Sequence, residues 1–135
     1  MSKILKKTYQ EQMRNSYPNH PIIKPIAPGM VKTWGEGIQV LPSPLEIREV
    51  MKSIPICNVM TTKELCRILA KKHNVDIACP YTTGILMNIV ARAIEEDEND
   101  DTPWWRTLGS KGELKLSYPN APEEQMALLE AEGFS

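Results

Sequence analysis

Thr61-Thr62-Lys63-Glu64-Leu65-Cys66-Arg67-Ile68-Leu69-Ala70-Lys71-Lys72-His73, followed after a short connection by Thr82-Thr83-Gly84-Ile85-Leu86-Met87-Asn88-Ile89-Val90-Ala91, is the stretch on which the fold turns. Thr61 and Glu64 stand at the spacing of a capping box, in which the hydroxyl accepts an orphan amide and the carboxylate reaches back to the cap. Leu65, Ile68 and Leu69 recur at helical spacing, with Lys63, Arg67, Lys71 and Lys72 elsewhere. The pattern predicts a helix over 62–73. Thr82 or Thr83 can cap a second helix, about 83–97. Its run from Ile85 to Ala91 is apolar nearly all round, so it must be buried on more than one side.

Upstream, Ser43-Pro44-Leu45-Glu46 is another capping box, with proline at the first helical position. It predicts a helix over 44–53, stopped by Pro55. Downstream come a short strand around Thr107, a Gly109–Gly112 turn and a second strand around Leu114–Leu116. Asn120-Ala121-Pro122-Glu123 opens a last helix, 122–132, with Met126, Leu128 and Leu129 inward and Gly133 as its stop. A helix, a helix–turn–helix pair and a short hairpin is the order of a winged-helix unit. The fold expected is therefore α+β, mostly helical and winged-helix-like, and the second helix of the pair is the reading helix. Residues 43–135 form this domain. Residues 1–42 hold Pro18, Pro21, Pro25, Pro28 and Pro42, which forbid a long helix. They read as an extended, basic arm over the core, with one short strand at Ile38–Leu41.

A length of 135 residues is one domain's worth, and 41% hydrophobic with 24% charged residues is a globular composition. The net charge of −1 argues against strong general binding of nucleic acid, but its parts differ. The arm and the 45–93 segment carry a basic surplus, whereas Glu95, Glu96, Asp97, Glu98, Asp100 and Asp101 crowd into one run without a base. That run reads as a solvated acidic loop rather than a cation site. Three cysteines, Cys57, Cys66 and Cys79, are no disulfide framework. Met1–Gln10 has lysines but no apolar stretch after them, and Ile77–Ala91 is too short to span a bilayer. A reduced, cytoplasmic protein without membrane contact is expected. Cys66 and His73 share a helix face but lack zinc spacing, and read as a buried thiol and a surface histidine. Cys79, beside Pro80, reads as structural. No metal or cofactor is expected.

Four pieces of the chain, in order, carry a family likeness. They are Ile54-Pro55-Ile56-Cys57-Asn58-Val59-Met60-Thr61-Thr62; Pro103-Trp104-Trp105-Arg106; Gly112-Glu113-Leu114 with Tyr118-Pro119-Asn120-Ala121; and Leu128-Leu129-Glu130-Ala131-Glu132-Gly133. Together they resemble the C-terminal DNA-binding domain of the alkylguanine-DNA alkyltransferases, the methylated-DNA-protein-cysteine methyltransferase family. They resemble its non-catalytic relatives, the alkyltransferase-like proteins, still more closely. The active family reads Pro-Cys-His-Arg where this chain has Pro103-Trp104-Trp105-Arg106. The cysteine there takes an alkyl group from a base flipped out of duplex DNA, activated by a histidine–glutamate network. Trp104 has no ionisable sulfur and Trp105 cannot be a general base. The likeness thus implies no catalytic residue and no alkyl transfer here.

What it implies instead is a binder of double-stranded DNA carrying alkylated guanine, which presents the base to nucleotide excision repair proteins. Trp104, Trp105, Arg106, Tyr118 and Glu132 would line the lesion pocket. Thr61, Thr62, Lys63, Thr83, Ile85, Asn88 and Arg92 would meet DNA, the first three from a helix N-terminus that attracts phosphate. Two departures touch this role. Thr62 replaces the family's phosphate-rotating tyrosine, and Ile85 or a neighbour replaces its base-displacing arginine. An apolar wedge at Ile85 can still open a base step. The same greasy helix would also suit a protein-interaction module or homodimer that kept the fold without DNA. A transferase using Cys79 or Cys57 is a further alternative.

Overall fold

A computed structural model describes residues 8–134. In chain order they form α1 (Tyr9–Asn15), β1 (Ile22–Pro25), the one-turn α2 (Val31–Trp34), β2 (Ile38–Leu41), α3 (Pro44–Lys52), β3 (Met60–Thr61) and α4 (Thr62–His73). There follow β4 (Ile77–Ala78), α5 (Pro80–Glu95), a 3-10 turn at Trp104–Arg106, β5 (Thr107–Leu108) and α6 (Glu123–Ala131). The class is α+β and mostly helical.

The capping signals act where they stand in the sequence. Ser43 caps α3 and Thr61 caps α4, each in a complete box with Glu46 and Glu64 respectively. The α4 helix spans the predicted residues and ends at Asn74 in the left-handed conformation, φ 54°. The α5 helix starts three residues earlier than expected. Pro80 takes the first helical position, its fixed φ suiting the first turn, and the Cys79 sulfur rather than a threonine accepts the Thr82 amide. Its buried side chains include Thr83, Leu86, Met87, Ile89, Val90, Ala91 and Ile94, so it is the central helix. It packs against α1, α3, α4 and the Trp104 turn.

Residues 8–42 are more than an extended arm. Thr8 caps α1, Met13 enters the core at 1% exposure, and the Glu96 carboxylate accepts the Tyr9 and Gln10 amides at 3.1 and 2.8 Å. A carboxylate at a helix start satisfies orphan donors and opposes the dipole, which draws α1 onto the end of α5. The strand expected at Ile38–Leu41 forms as β2. It pairs antiparallel with β1 and parallel with β4, in the order β1-β2-β4, which ties the front of the chain to the connection between α4 and α5.

The hairpin expected over 107–116 does not form. Thr107–Leu108 pairs instead, in parallel, with Met60–Thr61. Gly109 donates to the Glu113 carbonyl at 2.8 Å, closing a turn, and the Lys115 amide is held by Gln125 rather than by a strand. The inward face of α6 also differs from the expected one. Leu129 is buried and Leu128 partly so, but Met126 is 44% exposed and the polar Gln125 is fully buried. No helix among the described residues is long and apolar enough to cross a membrane.

Candidate functional site

The clearest polar cluster is built around Glu132, just past the end of α6. Arg106 reaches it from the 3-10 turn, with Nη2 at 2.7 Å and Nε at 3.0 Å. The Trp105 indole N–H donates to the same carboxylate at 2.9 Å. Arg106 Nη1 also donates to the Ile54 carbonyl at 2.7 Å, and the Cys57 thiol to the Glu132 carbonyl at 3.3 Å. Trp105 and Arg106 therefore meet on the Glu132 carboxylate, and Ile54 and Cys57, far away in the chain, are tied to the same cluster through the Ile54 and Glu132 carbonyls. The Arg106 and Glu132 side chains are only 13% and 9% exposed. The Arg106 guanidinium, helped by the Trp105 indole, holds the Glu132 carboxyl below its ordinary range in spite of burial. Arg106 also lies 5.5 Å from the Trp105 ring centroid.

The other two expected pocket residues are core. Trp104 and Tyr118 are each 1% exposed and stack edge to face at 5.4 Å and 89°. The Tyr118 hydroxyl is hydrogen-bonded to Thr107, whose hydroxyl also meets the Trp104 carbonyl. Burial pushes the Tyr118 hydroxyl well above its ordinary pKa, so it stays protonated. Two of the five expected pocket residues are thus packed into the core, while Trp105 and Arg106 are half-buried.

The residues expected at DNA divide likewise. Lys63 is exposed and Ile85 is 58% exposed. Thr61 is spent on its cap. Thr62 is buried, its hydroxyl donating to the Leu108 carbonyl at 2.9 Å. Thr83 is fully buried and Asn88 partly so, with its Oδ1 buried and unpartnered. Arg92 donates to the Ser117 carbonyl at 3.1 Å and lies over the Tyr9 ring.

Several polar residues escaped the sequence reading. Gln125 donates to the carbonyls of Trp105 and Thr107 at 3.0 and 2.8 Å and accepts the Lys115 amide at 3.2 Å. It thereby fixes the turn that presents Trp105 and Arg106. His73, expected at the surface, donates from Nε2 to the Glu46 carboxylate at 2.7 Å, and Lys72 reaches the same oxygen at 2.9 Å. Burial alone would raise the Glu46 carboxyl, but the Ser43 amide, His73 and Lys72 outweigh it and lower it. In the acidic run, Asp100 binds Arg48 at 2.9 Å. Long-range pairings of this kind leave no periodic trace in a sequence. A glutamine on an apolar helix face was the one available signal.

Of the three free thiols Cys79 is buried and Cys66 partly so, whereas Cys57 is exposed. Cys79 is 8% exposed at the start of α5, burial pushes the Cys66 thiol up, and the Cys57 proton is directed at a carbonyl. Among the described residues no three His, Cys, Asp or Glu side chains are grouped as a metal would need. Compared with protein-family models, with curated proteins and with solved structures, the chain has no match.

Proposed function

We propose that this protein is a non-enzymatic binder of duplex DNA, of the alkyltransferase-like kind, that recognises alkylated guanine for repair. The observation that supports it is the meeting of Ile54, Cys57, Trp105, Arg106 and Glu132 in one hydrogen-bonded cluster. These residues belong to separate pieces of the family-like signature, and their convergence is what the resemblance requires. The chemistry fits a binder better than a transferase. Trp105 gives Glu132 an indole N–H, a donor that cannot take up a proton, and Trp104 offers no nucleophile.

In this reading the winged-helix role falls to α4 and α5. The exposed Ile85 side chain acts as the wedge at a base step, and Lys63 holds phosphate. A displaced guanine would meet the half-buried Trp105 ring and Arg106 guanidinium, since Trp104, packed edge-on against Trp105, and Tyr118 are buried. Three free cysteines suit a reducing, cytoplasmic setting, and repair proteins would be the partners of the DNA-bound form.

A second reading draws on a different feature. Val59, Leu108, Leu114, Met126, Leu129 and Phe134 line an apolar cleft of about 370 Å³ beside α6, which suits a protein-interaction or dimerisation module. Fluorescence anisotropy with matched duplexes, with and without one alkylated guanine, over a salt series separates the two. Tighter binding of the alkylated duplex, with no gain of mass by the protein, is expected. Negligible binding of both duplexes together with a doubled mass in light scattering would favour the interaction module.

A further inference from the structure

A second surface joins the front of the chain to the α4–α5 pair. Trp34 of α2 leans on Tyr81 in the first turn of α5, ring centroids 5.5 Å apart and planes tilted by 49°. Tyr81 is 65% exposed, and Ile85, one helical turn further on, is 58% exposed. Beside the rings lies a groove of about 300 Å³ bordered by Trp34, Lys63, Cys66, Arg67, Asp76 and Pro80. Its α4 wall is basic. Lys63, Arg67 and Lys71 are spaced four apart on one exposed helix face, about 6 Å per step along the axis. Among the described residues none of the three lies within ion-pair distance of a carboxylate, although Lys72 next door does.

The acids near the groove accept backbone amides. The Asp76 carboxylate accepts the Ile38 amide at 2.8 Å and is packed against Gly37, which has no side chain to obstruct it and sits at φ 145°. Glu64 is turned back to the Thr61 amide at 3.1 Å. What remains is a pair of aromatic faces next to cations that make no ion pair among the described residues. A nucleic-acid strand fits that combination: bases stack on aromatic rings while its phosphates follow the cations. An acidic peptide would use the cations and leave the rings without a partner.

We propose that this groove takes an unpaired base of a DNA strand against Trp34 and Tyr81, with Lys63, Arg67 and Lys71 along its phosphates. The inference rests on the DNA-binding reading above and adds a base site distinct from Trp105 and Arg106. Anisotropy with a labelled oligo-dT strand and with a plain duplex, over a salt series, tests it. The wild-type chain is expected to bind the strand with a log–log salt slope near −2, about 0.7 per phosphate for three contacts. Tyr81→Ala should weaken strand binding roughly tenfold at an unchanged slope. Lys63→Glu with Arg67→Glu should abolish it, and thermal melts would show each variant folded. Because Trp34 is half-buried, Tyr81→Ala is the deciding variant and Trp34→Phe the confirming one, with a smaller loss. If the wild type binds DNA but Tyr81→Ala binds the strand equally well, the groove assignment falls and the DNA reading survives. Equal competition by poly-glutamate would also overturn it. No binding of any DNA would overturn both.

Discussion

Glu132 shows how one side chain can gather a site. Its carboxylate takes three hydrogen bonds from Arg106 and one from Trp105, with little exposure to water. Truncating it leaves a buried guanidinium without its counter-charge, so Glu132→Ala should cost about 3 kcal/mol in urea denaturation. The pair also predicts a pH dependence. The folded carboxyl titrates below its ordinary value of 4.5, so its contribution is complete above that value and is lost as pH falls through the lower, folded one. Stability of the wild type relative to Glu132→Gln should therefore shrink on acidification below about pH 4.5 and stay constant above it. Gln125 is the neutral counterpart. Gln125→Leu keeps the volume but strands two carbonyls and an amide, and should lower stability by about 2 kcal/mol by thermal melt. The sequence announced Arg106 and Glu132 through their motif, yet nothing in it paired Glu132 with the Trp105 indole. The burial of Trp104 and Tyr118 was equally silent, because two aromatics that stack on one another read the same as two that wait for a ligand.

Helices were legible wherever a cap and a stripe agreed. Ser43 and Thr61 announced α3 and α4, and the all-round apolar run announced α5 as the central helix. The start of α5 lies at Pro80 rather than at Thr83, because a proline at the first helical position begins a helix as readily as it ends one. The missing hairpin has a similar cause. A short strand is specified by its partner, and β5 finds that partner in β3, forty-odd residues upstream. The orientation of α5 makes its own prediction. Met87 is fully buried and Ile85 is 58% exposed, two positions apart on the same helix. Met87→Ala should cost about 3 kcal/mol, and Ile85→Ala under about 0.5 kcal/mol, in paired thermal denaturation. Equal costs would mean that α5 is rotated, and that Ile85 is core rather than wedge.

Across the whole molecule, the net charge of −1 divides by place. Lys63, Arg67 and Lys71, which make no ion pair among the described residues, share one face of α4, while Glu96 and Asp100 of the acidic run are engaged with α1 and Arg48. Bulk charge therefore says little about DNA, and under the proposed reading the contact would be weak and locally directed. The front of the chain, which sequence alone set aside as an arm, supplies Met13 to the core, β1 and β2 to the sheet and Trp34 to the surface beside α5. Its contribution was hidden because strand pairing and helix docking act over long sequence separations. The central claim is that the protein recognises altered guanine without reacting with it. The most direct measurement is the ratio of dissociation constants for two duplexes differing only by one alkylated guanine, at a single moderate salt concentration. A preference of about tenfold or more for the alkylated duplex is the predicted result. A ratio of one would contradict it.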